Sequence, residues 1–141
     1  MIELVQIPKE NIDVVWPQCK GMIANAMASS NNYANASHFK KWISENTNAL
    51  ADLLEQVAEL EGLARIRLSS LEPLDVTDRL LGVMTTYPNI MPHLHLPLQS
   101  GSANILRKMA RQYTIDDYMR VIETVKSSFD RPAITTDIIV G

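Results

Sequence analysis

Ala64-Arg-Ile-Arg-Leu-Ser69 alternates apolar and polar residues, and the fold follows from reading it as a short strand with Ile66 and Leu68 on one face. Upstream, Leu50, Leu53, Leu54, Val57 and Leu60 recur at helical spacing, and Gly62 stands where a left-handed residue closes a helix. Downstream, Asp75 with Asp78 caps a second helix through Leu80, Leu81 and Met84, which must stop before Pro88. His93-Leu-His-Leu-Pro-Leu98 is then a second strand, ending in Gln99-Ser-Gly-Ser102. Ser102 is suited to cap a short helix carrying Ile105, Leu106 and Met109. Thr114 with Asp117 opens a better one, whose Tyr118, Val121, Ile122, Val125 and Phe129 form an apolar stripe. After Pro132, the β-branched run Ala133-Ile-Thr-Thr-Asp-Ile-Ile-Val140 reads as a third strand suited to burial on both faces. Helices alternating with short strands predict an α/β fold: a parallel sheet of βα units, half of a TIM-like barrel or an open sheet.

The chain has 141 residues, 46% of them hydrophobic and 21% charged, the composition of a globular domain and not of a disordered or low-complexity chain. Its net charge of −3 supplies no general positive field, so charge alone gives no argument for nucleic-acid binding. One cysteine, Cys19, excludes an intrachain disulfide framework and any metal site built on three thiolates of this chain. No basic segment leads into a long apolar run, so no membrane contact is expected and the expected compartment is the cytoplasm.

Composition shifts near residue 48. Residues 1–48 hold seven of the nine asparagines and both tryptophans, with four basic residues against four acidic. Residues 49–141 carry nine basic and twelve acidic residues, hence all of the net charge. The reading is therefore two parts: an unassigned α+β segment of different origin over 1–48, and the βα units over 49–141. Within the first part, Glu3 to Ile7 has strand character, and Ile12 to Met27 is spaced for a helix that begins regularly near Pro17. Residues 29–37 are loop-like, and Phe39, Trp42 and Ile43 suggest one more short helix.

Parallel sheets offer ligands the C-terminal ends of their strands. Ser69-Ser-Leu-Glu-Pro73 supplies two hydroxyls and a carboxylate, fit for a ribose or an ammonium group; Gln99-Ser-Gly-Ser102 supplies an amide, two hydroxyls and a glycine. The same residue types also serve simply as turns and caps. His93 and His95, at i and i+2, share one strand face, but two histidines fall short of a closed metal site and suit packing or a polar barrel interior. Arg107, Lys108 and Arg111 read as a solvated helix face, with phosphate binding as the alternative. Cys19 lies in an apolar stripe and reads as a buried thiol.

The strings Leu63-Ala-Arg-Ile-Arg-Leu-Ser-Ser-Leu-Glu-Pro73, Pro92-His-Leu-His-Leu-Pro-Leu-Gln-Ser-Gly-Ser102, Ile105-Leu-Arg-Lys-Met109, Tyr113-Thr114 and Thr136-Asp-Ile-Ile-Val-Gly141 closely resemble the middle of the radical S-adenosylmethionine methylthiotransferases that modify tRNA. Their wording is most similar to the branch acting on threonylcarbamoyladenosine beside the anticodon. The resemblance implies a partial TIM barrel in which a 4Fe-4S cluster cleaves S-adenosylmethionine to a radical that abstracts hydrogen, so that a methylthio group can be installed. It also implies tRNA as a partner. Carried over, Ser69, Ser70 and Glu72 face cofactor or substrate at one strand end, and Gln99 and Ser100 face the cofactor at the next. Gly141 is the first glycine of the loop after the third strand. Ala103-Asn104 departs from the aspartate common after the Ser-Gly-Ser turn.

The family holds its cluster in a Cys-x3-Cys-x2-Cys loop, which this sequence lacks, so no cluster and no metal ligand is expected in this chain, and the chain alone is expected to be inactive. The glycine loop beyond Gly141 and the family's RNA-binding domain are likewise not in these residues. Two other readings stand beside that of an enzyme fragment: a noncatalytic binding module reusing half a barrel, and an acetyltransferase-like remnant suggested by a loose similarity of residues 1–48. A half barrel leaves sheet edges open, so self-association is expected.

Overall fold

The computed structural model describes residues 2–6, as backbone, and 48–140. The elements read at Pro17, Cys19, Phe39, Trp42 and Ile43, the loop at 29–37, His38 and Gly141 lie outside the described residues.

Helix α1 (Ala49–Ala58) leads into strand β2 (Arg65–Leu68) through a turn in which Gly62 takes a φ of 79°. Asn89 braces that turn from below, donating its side-chain amide to Ala58 O at 2.9 Å and Leu63 O at 3.3 Å. A 3-10 turn (Pro73–Asp75) precedes α2 (Asp78–Thr86), followed by β3 (Ile90–His95), the short α3 (Ala103–Lys108), α4 (Ile115–Ser128) and β4 (Ala133–Thr135). β2, β3 and β4 pair in parallel, as the alternation of patterns predicts, in a partial TIM-barrel-like arrangement of βα units. Strand β1 (Ile2–Gln6) lies on the far side of β2 and runs antiparallel to it, with Glu3 opposite Arg67.

Side chains alternate across a strand, and here the alternation separates two surfaces. Ile66, Leu68, Leu94 and Leu96 are wholly buried against Leu54 and Val57 of α1, Leu80 and Val83 of α2, and Val125 of α4, forming one core. Burying each such side chain contributes roughly 1.5–3 kcal/mol. Arg67, His93 and His95 occupy the alternate positions and face away from it.

Several boundaries differ from the sequence reading. β3 begins three residues earlier than His93 and contains Pro92. Proline is tolerated because pairing with β4 starts only at His93↔Ala133, so its missing N–H interrupts no ladder bond on that side. The third strand is shorter than 133–140, since Leu98 N bonds to the Thr136 hydroxyl at 2.9 Å in place of a backbone carbonyl. Parallel contact resumes beyond it, with Gln99 N to Asp137 O at 2.8 Å and Ile139 N to Gln99 O at 2.9 Å. Nor is this run buried on both faces: Ile138, Ile139 and Val140 are 54%, 65% and 86% exposed, because among the described residues β4 is the edge strand.

The helix caps are partly as read. Thr77, not Asp75, caps α2, its hydroxyl accepting from Leu80 N at 3.1 Å, while Asp75 accepts from Glu72 N. Ser102 sits at the start of α3 without a side-chain cap; its own N–H instead donates to Ser100 Oγ at 3.2 Å. α4 has the reciprocal arrangement read from Thr114 and Asp117: Asp117 N donates to Thr114 Oγ1 at 3.1 Å, and Thr114 N donates back to Asp117 Oδ2 at 3.0 Å.

The hydroxyl and amide of Thr114, followed by Arg120, hold the Asp117 carboxyl below its ordinary value of 3.8. A depressed folded-state pKa stabilises the fold fully above the unfolded value, and that contribution is lost as pH falls through the folded one. Asp117→Ala is therefore expected to lower the urea midpoint at pH 7, with the gap from wild type closing as pH drops below 3.8. A gap constant over that range contradicts this role for the capping carboxylate.

Candidate functional site

Parallel pairing delivers the ends of β2 and β3 to the same edge. Beyond Leu68↔Leu94, Leu71 N donates to His95 O at 3.0 Å, so residues 69–72 run beside the end of β3. Leu96 N donates to Thr135 O at 2.8 Å, and Gln99 pairs with Ile138, which brings the continuation of β4 to that edge as well. Ser69, Ser70, Glu72, Gln99 and Ser100 thus lie on two neighbouring loops at one end of the sheet. Gly141 is outside the described residues.

The two loops share a backbone feature. Ser70 has a φ of 55° and Gln99 a φ of 67°, both in the left-handed region that costs an L-residue roughly 1–2 kcal/mol. Such conformations persist where the surroundings over-determine them, and they concentrate at ligand-binding edges. The surroundings here are specific. Tyr118 donates its hydroxyl to Leu96 O at 3.0 Å, and Tyr113 donates to Pro97 O and Leu98 O at 3.0 and 3.1 Å. Their rings lie 6.5 Å apart, and burial pushes the Tyr113 phenol above its ordinary pKa. The Tyr113 phenol therefore stays a neutral donor at physiological pH.

Glu72 is held from a third direction. Arg111 Nη1 donates to Glu72 Oε1 at 2.9 Å, a charge-assisted bond between half-buried side chains. This corrects the reading of Arg111 as part of a solvated helix face: α3 ends at Lys108, Ala110 adopts a φ of 54°, and Arg111 is carried off the helix surface that Arg107 and Lys108 leave exposed. The i to i+4 spacing of Arg107 and Arg111 concealed that break.

Away from the helices, the sheet carries a polar row. Arg67 Nη2 lies 2.9 Å from Nε2 and 3.1 Å from Nδ1 of His93. His95 faces Thr135 Oγ1 at 2.9 Å through Nδ1 and Asp137 Oδ2 at 3.2 Å through Nε2, an arrangement that a neutral imidazole protonated at Nε2 satisfies on both sides. The pair of histidines is thus engaged across strands, on the polar face of the sheet that the i, i+2 spacing predicts. No group of three potential metal-ligating side chains occurs among the described residues. With one cysteine in the sequence, the donors needed for a 4Fe-4S cluster do not fit this chain by itself.

Residues 36–141 match the Radical SAM superfamily. A tRNA-2-methylthio-N(6)-dimethylallyladenosine synthase of Thermobifida fusca is 41% identical over 122 residues, which is 86% of this chain and 24% of that protein. Synthases of the same name from Acidothermus cellulolyticus and Dictyoglomus thermophilum are 47% and 45% identical over 93 and 92 residues, covering 66% and 65% of this chain and 19% and 21% of theirs. The chain thus spans about a quarter or less of the length of these relatives. The threonylcarbamoyladenosine branch expected from the motifs is not supported: these relatives are named as dimethylallyladenosine synthases.

The left-handed φ at the second loop makes a direct expectation. Gln99→Gly should leave stability within about 1 kcal/mol of wild type, whereas Gln99→Val should cost at least about 1–2 kcal/mol, since a β-branched residue resists that conformation. Chemical denaturation of both variants checks it; equal stabilities would contradict the backbone geometry.

Proposed function

Because the chain belongs to the radical SAM superfamily, we propose that it is part of a tRNA methylthiotransferase and supplies the edge of the barrel that faces S-adenosylmethionine. The observation that carries this reading is the meeting of the β2 and β3 loops at one sheet edge, where Leu71 N bonds to His95 O at 3.0 Å. Members of the family use S-adenosylmethionine with a 4Fe-4S cluster that generates a radical from it.

In this reading, the carboxylate of Glu72 and the hydroxyls of Ser69 and Ser70 receive the ammonium or ribose groups of the cofactor. Gln99 and Ser100 add an amide and a hydroxyl from the adjacent loop, and Gly141 opens the third. These residues bind and orient; none of them replaces the cluster's cysteines, so the isolated chain is inactive. The proposed product is the 2-methylthio-N(6)-dimethylallyladenosine of tRNA that the relatives' names carry, and the proposed compartment is the cytoplasm. The separate origin of residues 1–48 belongs to the same proposal; it rests on the shift in composition near residue 48, while the family match reaches back into that segment as far as residue 36. Exposed Ile138, Ile139 and Val140 beside the open β4 edge favour self-association of the isolated chain. Among the described residues no helix is long and apolar enough to cross a membrane.

A chimaera tests the reading. Residues 49–140 replace the matching stretch of the Thermobifida fusca synthase, whose remaining chain supplies the cluster. Methylthiolated tRNA is expected from the chimaera, and Gln99→Ala within it should raise the KM for S-adenosylmethionine about tenfold, the effect of losing one hydrogen-bonding side chain. A folded, cluster-loaded chimaera that forms no product contradicts the assignment. An unchanged KM in the Gln99→Ala form removes that residue from the site.

A further inference from the structure

One short segment reaches both candidate loops. The left-handed Ala110 turns the chain back toward the sheet after α3, with Arg111 N bonded to Leu106 O at 3.0 Å. Arg111 then bonds to Glu72, 39 residues away in sequence, and Tyr113, two residues on, bonds to the carbonyls of Pro97 and Leu98. The first contact holds the loop after β2, and the second holds the loop after β3.

The guanidinium is a costly way to fill this space. Arg111 Nε is buried without a hydrogen-bond partner, and an unpartnered buried donor is destabilising. A methionine of similar reach would cover the same apolar surface without that penalty. What arginine adds is the bond to the Glu72 carboxylate.

We propose that Arg111 is a positioning residue which, with Tyr113, forms a clasp holding residues 69–72 and 97–100 in fixed relation, so that Glu72, Gln99 and Ser100 address one ligand as a unit. The ligand in this statement rests on the reading of the edge as the S-adenosylmethionine face; the mechanical coupling does not. Coupling of this kind is reciprocal, so loosening either half loosens the loop it does not touch.

Amide hydrogen exchange on the full 141-residue chain tests it. The probes are the amides of Leu71 and Gln99, which bond to His95 O and Asp137 O, with the amide of Ile66, bonded to Asn89 O, as the control. Arg111→Met should lower protection at Gln99 and Tyr113→Phe should lower it at Leu71, each by about tenfold, with Ile66 unchanged. Arg111→Lys, which keeps a cation within reach of the carboxylate, should restore it. Effects confined to each variant's own loop, or absent, overturn the clasp, as does failure of lysine to restore protection. If Arg111→Met also exposes Ile66, Glu72→Gln decides, because it breaks the same bond from the more exposed partner: unchanged protection at Gln99 overturns the proposal. Calorimetric titration with S-adenosylmethionine separates the two ideas. Wild type without affinity refutes the ligand and leaves exchange to judge the clasp; equal affinity in wild type and Arg111→Met refutes the positioning role.

Discussion

Parallel pairing of β2, β3 and β4 is the constraint on which the rest of this structure depends. Neighbouring strands can run in the same direction only if the chain returns across the sheet between them, and the returning segments here are α2 and α4. The return places helices on one face, which dictates the wholly apolar inward positions Ile66, Leu68, Leu94 and Leu96. It also delivers every strand's C-terminal end to one edge. The gathering of Ser69, Ser70, Glu72, Gln99 and Ser100 is thus a consequence of strand direction before it is a matter of individual contacts.

Side-chain polar groups extend this order past the regular ladder. Beyond His95 the chain departs from ideal pairing, yet the carbonyls of Leu96, Pro97 and Leu98 are taken by the hydroxyls of Tyr118 and Tyr113, and the amide of Leu98 by Thr136. Buried backbone groups need such partners. A tyrosine suits the task because its ring joins the core while its tip satisfies a carbonyl. The left-handed conformation of Gln99 sits just beyond these supports, and that of Ser70 just before the Leu71 amide that bonds to His95 O.

Much of this was legible in the sequence, and the exceptions have physical causes. Helical periodicity placed α1 and α4, and the Thr114–Asp117 pair fixed the start of α4, because a cap is a local interaction. The extent of β4 was overestimated from its β-branched run; strand length depends on partners, and a threonine hydroxyl in the ladder is invisible to a propensity argument. β3 extends back past His93 through Pro92, because the offset of β4 leaves no ladder bond on that side for the missing N–H to interrupt. Among the candidate site residues, motif and position together indicated the two loops, whereas Arg111 was hidden by helical spacing that continues past the point where the helix ends. Tyr118 reads as one more apolar position in its stripe, and only tertiary structure reveals what its hydroxyl does. The nucleoside branch was the least legible feature, since the strand-end motifs carry no information about the substituent on an adenosine.

The central claim is that the loops after β2 and β3 together form one ligand-binding edge. Titrating the isotopically labelled chain with S-adenosylmethionine while following backbone amide shifts tests this most directly. Saturable shifts confined to residues 69–72 and 99–101, and sharing one dissociation constant, are the predicted result. Shifts that map to the helical face around Asp78 and Thr85, or saturation of the two loops at different concentrations, would contradict it.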